Sequence, residues 1–287
     1  MSTSQLSCVD ESTCAILGID GSGSSRVEET TDEGATWSVL VGPTGVDPGY
    51  EIGGLSCSGA SSCVTVMGDP AEDSPAYAYR TTDGGRNWSR TELPAGFVPG
   101  SLACTASGDC IATGYAASDQ GGSGPPGEAA FTTGEGWSTS TLPPGTGALG
   151  PVSCGATDCL TSAPSADGST SELLGSSDGG RTFTTLSASG LPESYVGAVS
   201  CYGSSGCTVA GVIASTSGSH GSGPADVGAG LIASTSDGGA TFEAAELPRQ
   251  IGPVVGVSCA GPDACYAAAL TTGGSPHGSF VLLTNGG

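Results

Sequence analysis

Apolar residues lie in short segments separated by turns rich in Gly, Ser, Asp and Pro. The segment 207–211, Cys-Thr-Val-Ala-Gly, is one such segment, with small and β-branched residues between turn residues. Short runs with this composition and these boundaries predict β-strands. No segment predicts a helix of useful length, so the pattern predicts an all-β fold.

The segments follow one order that recurs along the chain. A first strand ends in a Leu/Val-Ser/Ala-Cys triplet, and a tight turn leads to a second Cys and a small-residue strand. A Gly/Ser/Pro-rich loop of variable length comes next, followed by a third strand that enters a Ser/Thr-x-Asp-Gly-Gly turn. The fourth strand is expected to start at a Trp or Phe and to close on Leu-Pro, because Pro suits a position where no ladder donor is needed.

Two independent markers give this order a period. The cysteines occur only in close pairs, and the first members are 49, 47, 50, 47 and 58 residues apart. The pairs are Cys8 and Cys14, Cys57 and Cys63, Cys104 and Cys110, Cys154 and Cys159, Cys201 and Cys207, and Cys259 and Cys265. The turn motif follows each pair, at 30–37, 81–88, 132–137, 176–183, 235–242 and 283–287.

Repeats of four antiparallel strands every 40 to 50 residues or so are typical of propeller blades. We therefore predict a single β-propeller domain over residues 1–287, with six four-stranded blades and the outermost strand missing from the last. The blades are expected at about 6–50, 51–97, 98–147, 148–193, 194–250 and 251–287. A linear β-solenoid would need much shorter repeats, and the natural chain is expected to continue beyond residue 287.

The turn motif resembles the Asp box, or BNR repeat, of the sialidase-like β-propeller superfamily. Within it, the chain resembles the non-sialidase, disulfide-stapled secreted bacterial members. The matching carboxylates and aromatics are Asp32, Trp37, Asp83, Trp88, Trp137, Asp178, Phe183, Asp237 and Phe242. The third copy departs from the pattern, with Gly134 in the Asp position, and the last copy has Asn285 and stops before its aromatic.

The resemblance implies that each Asp caps backbone N–H groups of its own turn and that each aromatic packs between sheets. A carboxylate in a tight turn, followed by glycines that permit positive φ, has the same role on physical grounds alone. We therefore expect the box residues to be structural. The box is specific for the fold and not for an activity, because the superfamily contains both enzymes and binding proteins.

Each cysteine pair is interpreted as a disulfide across the turn between the first and second strands. Closing so short a loop stabilises a fold by roughly 2 kcal/mol in the loop-entropy model. The competing interpretation is zinc, which needs about four ligands at one centre. Each repeat supplies two cysteines, and only His220 and His277 could add further ligands. We therefore expect no metal or other cofactor, and complete pairing favours an oxidising, extracellular or cell-surface location.

Charge excludes one class of function. The chain has 28 acidic residues against six Arg and no Lys, which gives a formal charge of −22. Nucleic acids and anionic membranes bind through Lys and Arg, so neither is an expected partner. Only 12% of residues are charged and 37% are hydrophobic, so the chain can bury a core. No run is long and apolar enough for a membrane span, and no signal-peptide layout follows Met1.

The arginines also argue against the best-known activity of the superfamily. A sialidase would need three Arg converging on the substrate carboxylate, together with a Tyr/Glu pair and an acidic residue. Arg86 and Arg181 lie inside boxes, Arg90 is on a fourth strand, and Arg26 and Arg80 lead into third strands. Only Arg249 is placed near the opposite face.

Recognition is expected on the face opposite the boxes, where loops of variable length join rigid strands. Three aromatics, Tyr50, Phe97 and Tyr195, stand seven, seven and six residues before the first Cys of their repeats. They are therefore expected at equivalent positions around the channel mouth, with Glu51 and Glu193 beside them. With Asp47 and Arg249, these residues form a candidate rim for a neutral or cationic ligand, including a sugar. The competing interpretation is ordinary packing of loop aromatics between blades.

Three functions remain open at this point. The leading hypothesis is a non-catalytic, monomeric propeller that binds a protein or glycan through its variable-loop face. The alternative is a glycoside hydrolase with a pair of carboxylates on that face, since acid and base need only a suitable separation. A structural repeat region of a surface protein is the third. The acidic loop with Asp69, Glu72 and Asp73 lacks the spacing of a dedicated calcium loop and is expected to be solvated.

Overall fold

The computed structural model describes residues 2–9, 12–19, 25–43, 51–59, 61–68, 75–117, 124–133, 136–214, 228–271 and 280–284. All regular elements in these ranges are β-strands, which confirms the predicted all-β class. None of these residues belongs to a helix long and apolar enough to cross a membrane. The chain divides into two compact units at about residue 142. Two short segments after that point, 147–149 and 179–182, belong to the first unit.

The first unit holds three sheets, each with four antiparallel strands in chain order. Sheet 1 contains β1 (Ser2–Cys8), β2 (Cys14–Ile19), β3 (Ser25–Thr30) and β4 (Ser38–Val41). Sheet 2 contains β5 (Glu51–Gly59), β6 (Ser62–Gly68), β7 (Tyr77–Thr81) and β8 (Ser89–Glu92). Sheet 3 contains β9 (Phe97–Cys104), β10 (Cys110–Ala116), β11 (Gly127–Thr133) and β12 (Gly136–Thr139).

The second unit holds two further four-stranded sheets and one sheet with three described strands. Sheet 4 contains β13 (Val152–Cys154), β14 (Cys159–Pro164), β15 (Ser171–Ser176) and β16 (Thr184–Thr185). Sheet 5 contains β17 (Ser194–Tyr202), β18 (Gly206–Ile213), β19 (Gly230–Thr235) and β20 (Glu243–Ala244). Sheet 6 contains β21 (Ile251–Gly261), β22 (Ala264–Thr271) and β23 (Phe280–Thr284). Five sheets thus have the predicted four-stranded blade topology.

The cysteines close the first hairpin of every sheet. In each case the two cysteines are directly opposite one another in the antiparallel register, as for Cys104 and Cys110. All six disulfides form, and no free cysteine occurs among the described residues. The predicted pairing is confirmed. The six disulfides also indicate folding in an oxidising environment.

The cores lie between consecutive sheets of the same unit. One core joins Leu17 and Val27 of sheet 1 to Tyr79 of sheet 2. Another joins Val64 and Val66 of sheet 2 to residues of sheet 3. In the second unit, equivalent clusters lie between sheets 4 and 5 and between sheets 5 and 6. Many side chains in these cores are Ala, Val or Thr, so each interface is thin.

A serine also links consecutive sheets at the disulfides. The Ser of one Ser-Cys step accepts a hydrogen bond at 2.9 Å from the backbone N–H of the first Cys in the next sheet. The pairs are Ser7 with Cys57, Ser56 with Cys104, Ser153 with Cys201, and Ser200 with Cys259. The small strand residues therefore carry a specific polar contact in addition to the apolar packing.

The outermost strands are shorter than predicted. In sheets 4 and 5 they contain two residues each and end well before the Leu-Pro steps at 191–192 and 247–248. Their aromatics, Phe183 and Phe242, precede the strands and pack into cores. Because the aromatic side chain points into the core, the backbone begins to pair with the third strand only after that residue.

Candidate functional site

The box turns are self-contained hydrogen-bonded units. In the second copy the Asp83 carboxylate accepts bonds from the Asn87 backbone N–H at 2.9 Å and from its side-chain amide at 2.7 Å. The Thr81 hydroxyl donates to the same carboxylate and accepts from the Gly85 N–H. Gly84 and Gly85 have φ of 70° and 80°, where glycine is favoured. The Asp closes its own turn, as the sequence predicted.

The other copies repeat these bonds. Asp32 and Asp237 accept from the backbone and hydroxyl of Thr36 and Thr241. These bonds hold the pKa of Asp83 and of Asp237 at about 2, and they lower the pKa of Asp32. Asp178 accepts from the Ser176 hydroxyl at 2.8 Å. Carboxylates stabilised in the ionised form are poor proton donors at neutral pH, which suits a structural role.

The box aromatics pack against their neighbours in all but one described copy. Phe183 and Phe242 are buried, and Trp88 and Trp137 are partly buried against inter-sheet cores. Trp37 is 38% exposed, so the expectation of packing between sheets is wrong for this residue. Asn285 lies outside the described residues.

Box turns and disulfide turns share one end of each sheet. Backbone N–H groups of the box turns at Glu33, Gly84 and Gly238 donate to carbonyls in the cysteine turns, at Ser12, Ser61 and Ser205. The bonds are 3.0 to 3.1 Å long. His220, His277 and the acidic loop at 69–73 lie outside the described residues.

The predicted rim residues are distributed over both units and lie partly outside the described residues. Tyr50 and Asp47 lie outside the described residues, as does the side chain of Glu51. Glu193 and Arg249 are exposed, and Tyr195 is 38% exposed. Phe97 is 1% exposed and belongs to the core between sheets 2 and 3, so its prediction as a ligand-binding residue is wrong.

Strand register explains the error at Phe97. Phe97 pairs with Ala116, six residues after the second Cys of its sheet. Tyr195 pairs with Val212, five residues after its second Cys, and Ser194 has the position equivalent to Phe97. Successive strand residues point to opposite faces, so this offset of one residue sends Phe97 into the core and leaves Tyr195 exposed.

A groove with a largely polar lining lies between sheets 2 and 3. Its volume is about 610 Å³. It is lined by Val64, Ala78, Arg80, Ser89 and Thr91 of sheet 2, and by Ser107, Gly108, Asp109, Thr132, Gly136 and Trp137 of sheet 3. The groove therefore combines an indole ring and a guanidinium with several hydroxyl groups.

Arg80 anchors the groove across the two sheets. Its Nη2 donates to the Gly108 carbonyl at 2.9 Å and lies 3.8 Å from the Cys110 sulfur. Within the described part of the chain, no carboxylate oxygen lies within 4 Å of this guanidinium. A guanidinium has five N–H donors, so the positioned Arg80 retains donors for a ligand.

Hydroxyl groups complete the lining. The Ser89 hydroxyl donates to the Arg80 carbonyl at 3.2 Å, and the Thr132 hydroxyl accepts from the Cys110 N–H at 2.9 Å. Ser107 donates to Asp109 at 2.8 Å, which fixes that carboxylate at the groove edge. These contacts hold polar groups in place before a ligand arrives, which lowers the ordering cost of binding.

Glu128 is a partly buried carboxyl group of the first unit. It lies near the start of β11, opposite Gly114, and its burial raises its pKa above the usual range. Burial raises the pKa of Glu29 in the same direction. Among the described residues no group of three His, Cys, Asp or Glu side chains is arranged to hold a metal ion.

Sequence reasoning missed the groove because its parts come from two sheets. Arg80 directly precedes a box, and Trp137 was assigned a purely structural role. The available signal was the shortened third box, which has two residues fewer before Trp137. A shorter turn changes the space beside the aromatic, but only the packing of sheet 2 against sheet 3 reveals a cavity there.

Comparison with known proteins shows which fold these sheets belong to. No family model matches the chain, and no curated protein matches it significantly. Solved structures do match over 97–98% of the chain. A Hadza microbial sialidase shares 13% identity with a TM-score of 0.59, and the match covers 65% of that protein. These likenesses show a β-propeller.

Two other propellers differ in what they do. A PL25 ulvan lyase, solved bound to a glucuronic acid–sulfated rhamnose unit, shares 13% identity with a TM-score of 0.58 and is covered over 78% of its length. YCF48, solved bound to the D1 peptide, shares 16% identity with a TM-score of 0.50 and is covered over 92%. At such identities the likeness concerns the fold alone, and the function must be argued from the site.

Proposed function

We propose that the chain is an extracellular, non-catalytic propeller of six blades that binds a neutral oligosaccharide in the groove between sheets 2 and 3. The groove with Trp137 beside Arg80 is the observation that carries this proposal. We place the ligand in the groove and not at the loop-face rim, because Phe97, one of the rim residues, is part of the core. Six disulfides support an oxidising, extracellular location.

The groove chemistry suits a sugar ring. Aromatic side chains offer an apolar face to the C–H groups of a sugar, and fixed polar groups at the margins orient its hydroxyls. Trp137 supplies the ring, while Arg80 and Thr91 supply a donor and a hydroxyl. The volume of about 610 Å³ is sufficient for a short oligosaccharide. The formal charge of −22 opposes the approach of a highly sulfated or polyuronate chain, which favours neutral sugars.

The test is a glycan array of neutral and acidic oligosaccharides, followed by calorimetric titration of the best ligand. Arg80→Gln and Thr91→Val should each weaken binding by about tenfold, the effect of losing one or two hydrogen bonds to the ligand. Arg86→Gln is the matched control, because Arg86 is an exposed residue of the same sheet outside the groove. Thermal melts establish that each variant is folded.

Tyr195→Ala separates the groove from the loop face. Tyr195 is exposed at the start of β17 and does not line the groove. Binding lost with Tyr195→Ala and retained with Arg80→Gln would place the ligand on the loop face and refute the groove. If the array showed no binding to any neutral oligosaccharide, that result would also contradict the proposal.

One observation favours the glycoside hydrolase as a second candidate. A general acid requires a carboxyl group with a raised pKa, and burial raises the pKa of Glu128. If this candidate is correct, the protein should release reducing sugar from at least one member of a polysaccharide panel. Glu128→Gln should then reduce turnover by at least about a hundredfold. Turnover unchanged in Glu128→Gln would exclude Glu128 as the acid.

A further inference from the structure

The groove between sheets 2 and 3 is lined by one basic and one acidic residue, Arg80 and Asp109. Each side chain is held by an uncharged partner. The Asp109 carboxylate accepts a hydrogen bond from the Ser107 hydroxyl at 2.8 Å, and the Arg80 Nη2 donates to the Gly108 carbonyl at 2.9 Å. Within the described ranges no ion pair joins the two charged side chains. Both therefore keep hydrogen-bonding capacity for a ligand.

The turn that carries Asp109 is closed by several bonds of its own. The Thr105 N–H donates to the Asp109 carbonyl at 2.8 Å, and the Gly108 N–H donates to the Thr105 carbonyl at 2.9 Å. The hydroxyls of Thr105 and Ser107 lie 2.7 Å apart, and the Cys104–Cys110 disulfide spans the same turn. The carboxylate is thus positioned before a ligand arrives, which lowers the ordering cost of binding.

The repeat shows that these two charges are not required for packing one sheet on the next. Arg80 directly precedes its box, and Asp109 directly precedes the second Cys of its sheet. At the other junctions within the two units, the equivalent pairs are Glu29 with Ser62, Gly175 with Gly206, and Ser234 with Ala264. An apolar core forms at each of those junctions. An Arg facing an Asp is therefore an addition to the scaffold, and it coincides with the groove.

The two charged groups have complementary hydrogen-bonding roles. A guanidinium only donates, and an ionised carboxylate only accepts. A sugar hydroxyl does both, so neighbouring hydroxyls of one sugar can accept from Arg80 and donate to Asp109. Hydrogen bonds to charged groups are roughly twice as strong as those between neutral groups. A sulfate ester or a uronate carboxylate has no proton to donate at neutral pH, and it brings a like charge towards Asp109.

We propose that Asp109 is the specificity-determining residue of the groove and selects sugars with free vicinal hydroxyls over sulfated and uronic sugars. This inference rests on the proposed function of the groove. Arg80 alone would favour an anionic sugar, because a guanidinium suits carboxylate and sulfate oxygens. The carboxylate beside its Gly108 anchor opposes that preference. Specificity of this kind uses a repulsive group as well as attractive ones.

The probes are cellotriose, maltotriose and mannotriose, each in its free, O-methylated and O-sulfated form. Calorimetric titration of the whole chain gives the Kd of each probe. At least one free trisaccharide should bind, and both modified forms of that sugar should bind at least about tenfold more weakly. O-Methylation removes the O–H groups that donate to Asp109, whereas sulfation also adds a like charge.

Asp109→Asn tests the carboxylate from the protein side. It should weaken binding of the free trisaccharide by about tenfold and strengthen binding of the sulfated form by about tenfold. Asp158→Asn is the matched control, because Asp158 also precedes the second Cys of its sheet but does not line the groove. Both variants remove one negative charge, so the net charge of the molecule changes equally. Thermal melts establish that both variants are folded.

Two outcomes would overturn the inference, and they differ in what they say about the groove. If Asp109→Asn left the ratio of the two Kd values as in Asp158→Asn, Asp109 would not determine specificity, while the proposed sugar binding would stand. If none of the free trisaccharides bound, the selection of free hydroxyls would be refuted. The proposed function would fail with it only if the glycan array also contained no neutral ligand.

Discussion

At the residue scale, the box carboxylates show most clearly how hydrogen bonds within one turn determine the structural role of a residue. Asp83 and Asp237 each accept several hydrogen bonds from one turn, and their pKa falls to about 2. Hydrogen bonds to the charged form favour that form. The same turn sequence therefore determines both the conformation and the protonation state.

This depressed pKa predicts how stability depends on pH. Because the folded pKa is below the ordinary value of 3.8, the ionised boxes stabilise the fold above about pH 4. That contribution is lost as pH falls through the folded pKa of about 2. The double variant Asp83→Asn, Asp237→Asn should therefore lose less unfolding temperature between pH 4 and pH 2 than the parent.

Thermal melts followed by circular dichroism across this interval provide the measurement. Glu246→Gln is the control, since Glu246 is an exposed carboxylate outside the box turns. Parallel pH profiles for the parent and the double variant would mean that the boxes add no pH-dependent stability.

Residue types and spacing were sufficient to predict the box turns and the disulfides, because both are made within a few residues. Phe97 shows where this approach ends. Its side-chain direction depends on its position in the strand ladder, which is one residue further from the paired cysteines than that of Tyr195. Arg80 shows a second limit, because its partner carbonyl at Gly108 belongs to the next sheet. Contacts between sheets follow from packing, which spacing along the chain does not specify.

At the element scale, consecutive sheets are joined by very little apolar material and by a repeated serine contact. The Ser56 hydroxyl accepts from the Cys104 N–H at 2.9 Å, and the same bond recurs at three other junctions. The Ser of the triplet thus has a defined partner. Ala103 replaces it in the third repeat, so the contact is not needed at every junction.

Ser56→Ala should destabilise the fold by about 1 kcal/mol, because it leaves the Cys104 N–H without its acceptor. For a chain of this size that loss corresponds to roughly 2–4 °C in unfolding temperature. Urea denaturation followed by fluorescence gives the free energy directly. Ser187→Ala, at an exposed serine, is the control. A change no larger than that of the control would show that the serine contact contributes nothing to stability.

At the scale of the whole molecule, thin cores and a large negative charge make the disulfides important. The chain contains 51 Gly and carries a formal charge of −22, so it gains little from large buried side chains and is destabilised by self-repulsion. Each disulfide closes a loop of six or seven residues and contributes about 2 kcal/mol in the loop-entropy model. Natural domains have a net stability of only about 5–15 kcal/mol.

Six such contributions together are comparable to the entire net stability of a typical domain, so full reduction should unfold the protein at room temperature. Circular dichroism with excess dithiothreitol should show loss of the β-sheet signal without heating. Alkylation and mass measurement should count twelve modified cysteines after reduction and none before it. The oxidised protein in the same buffer is the control. If the fully alkylated protein retained the parent β-sheet signal and urea midpoint, the sheets would be stable without their disulfides, and the thin apolar cores would have to account for the stability.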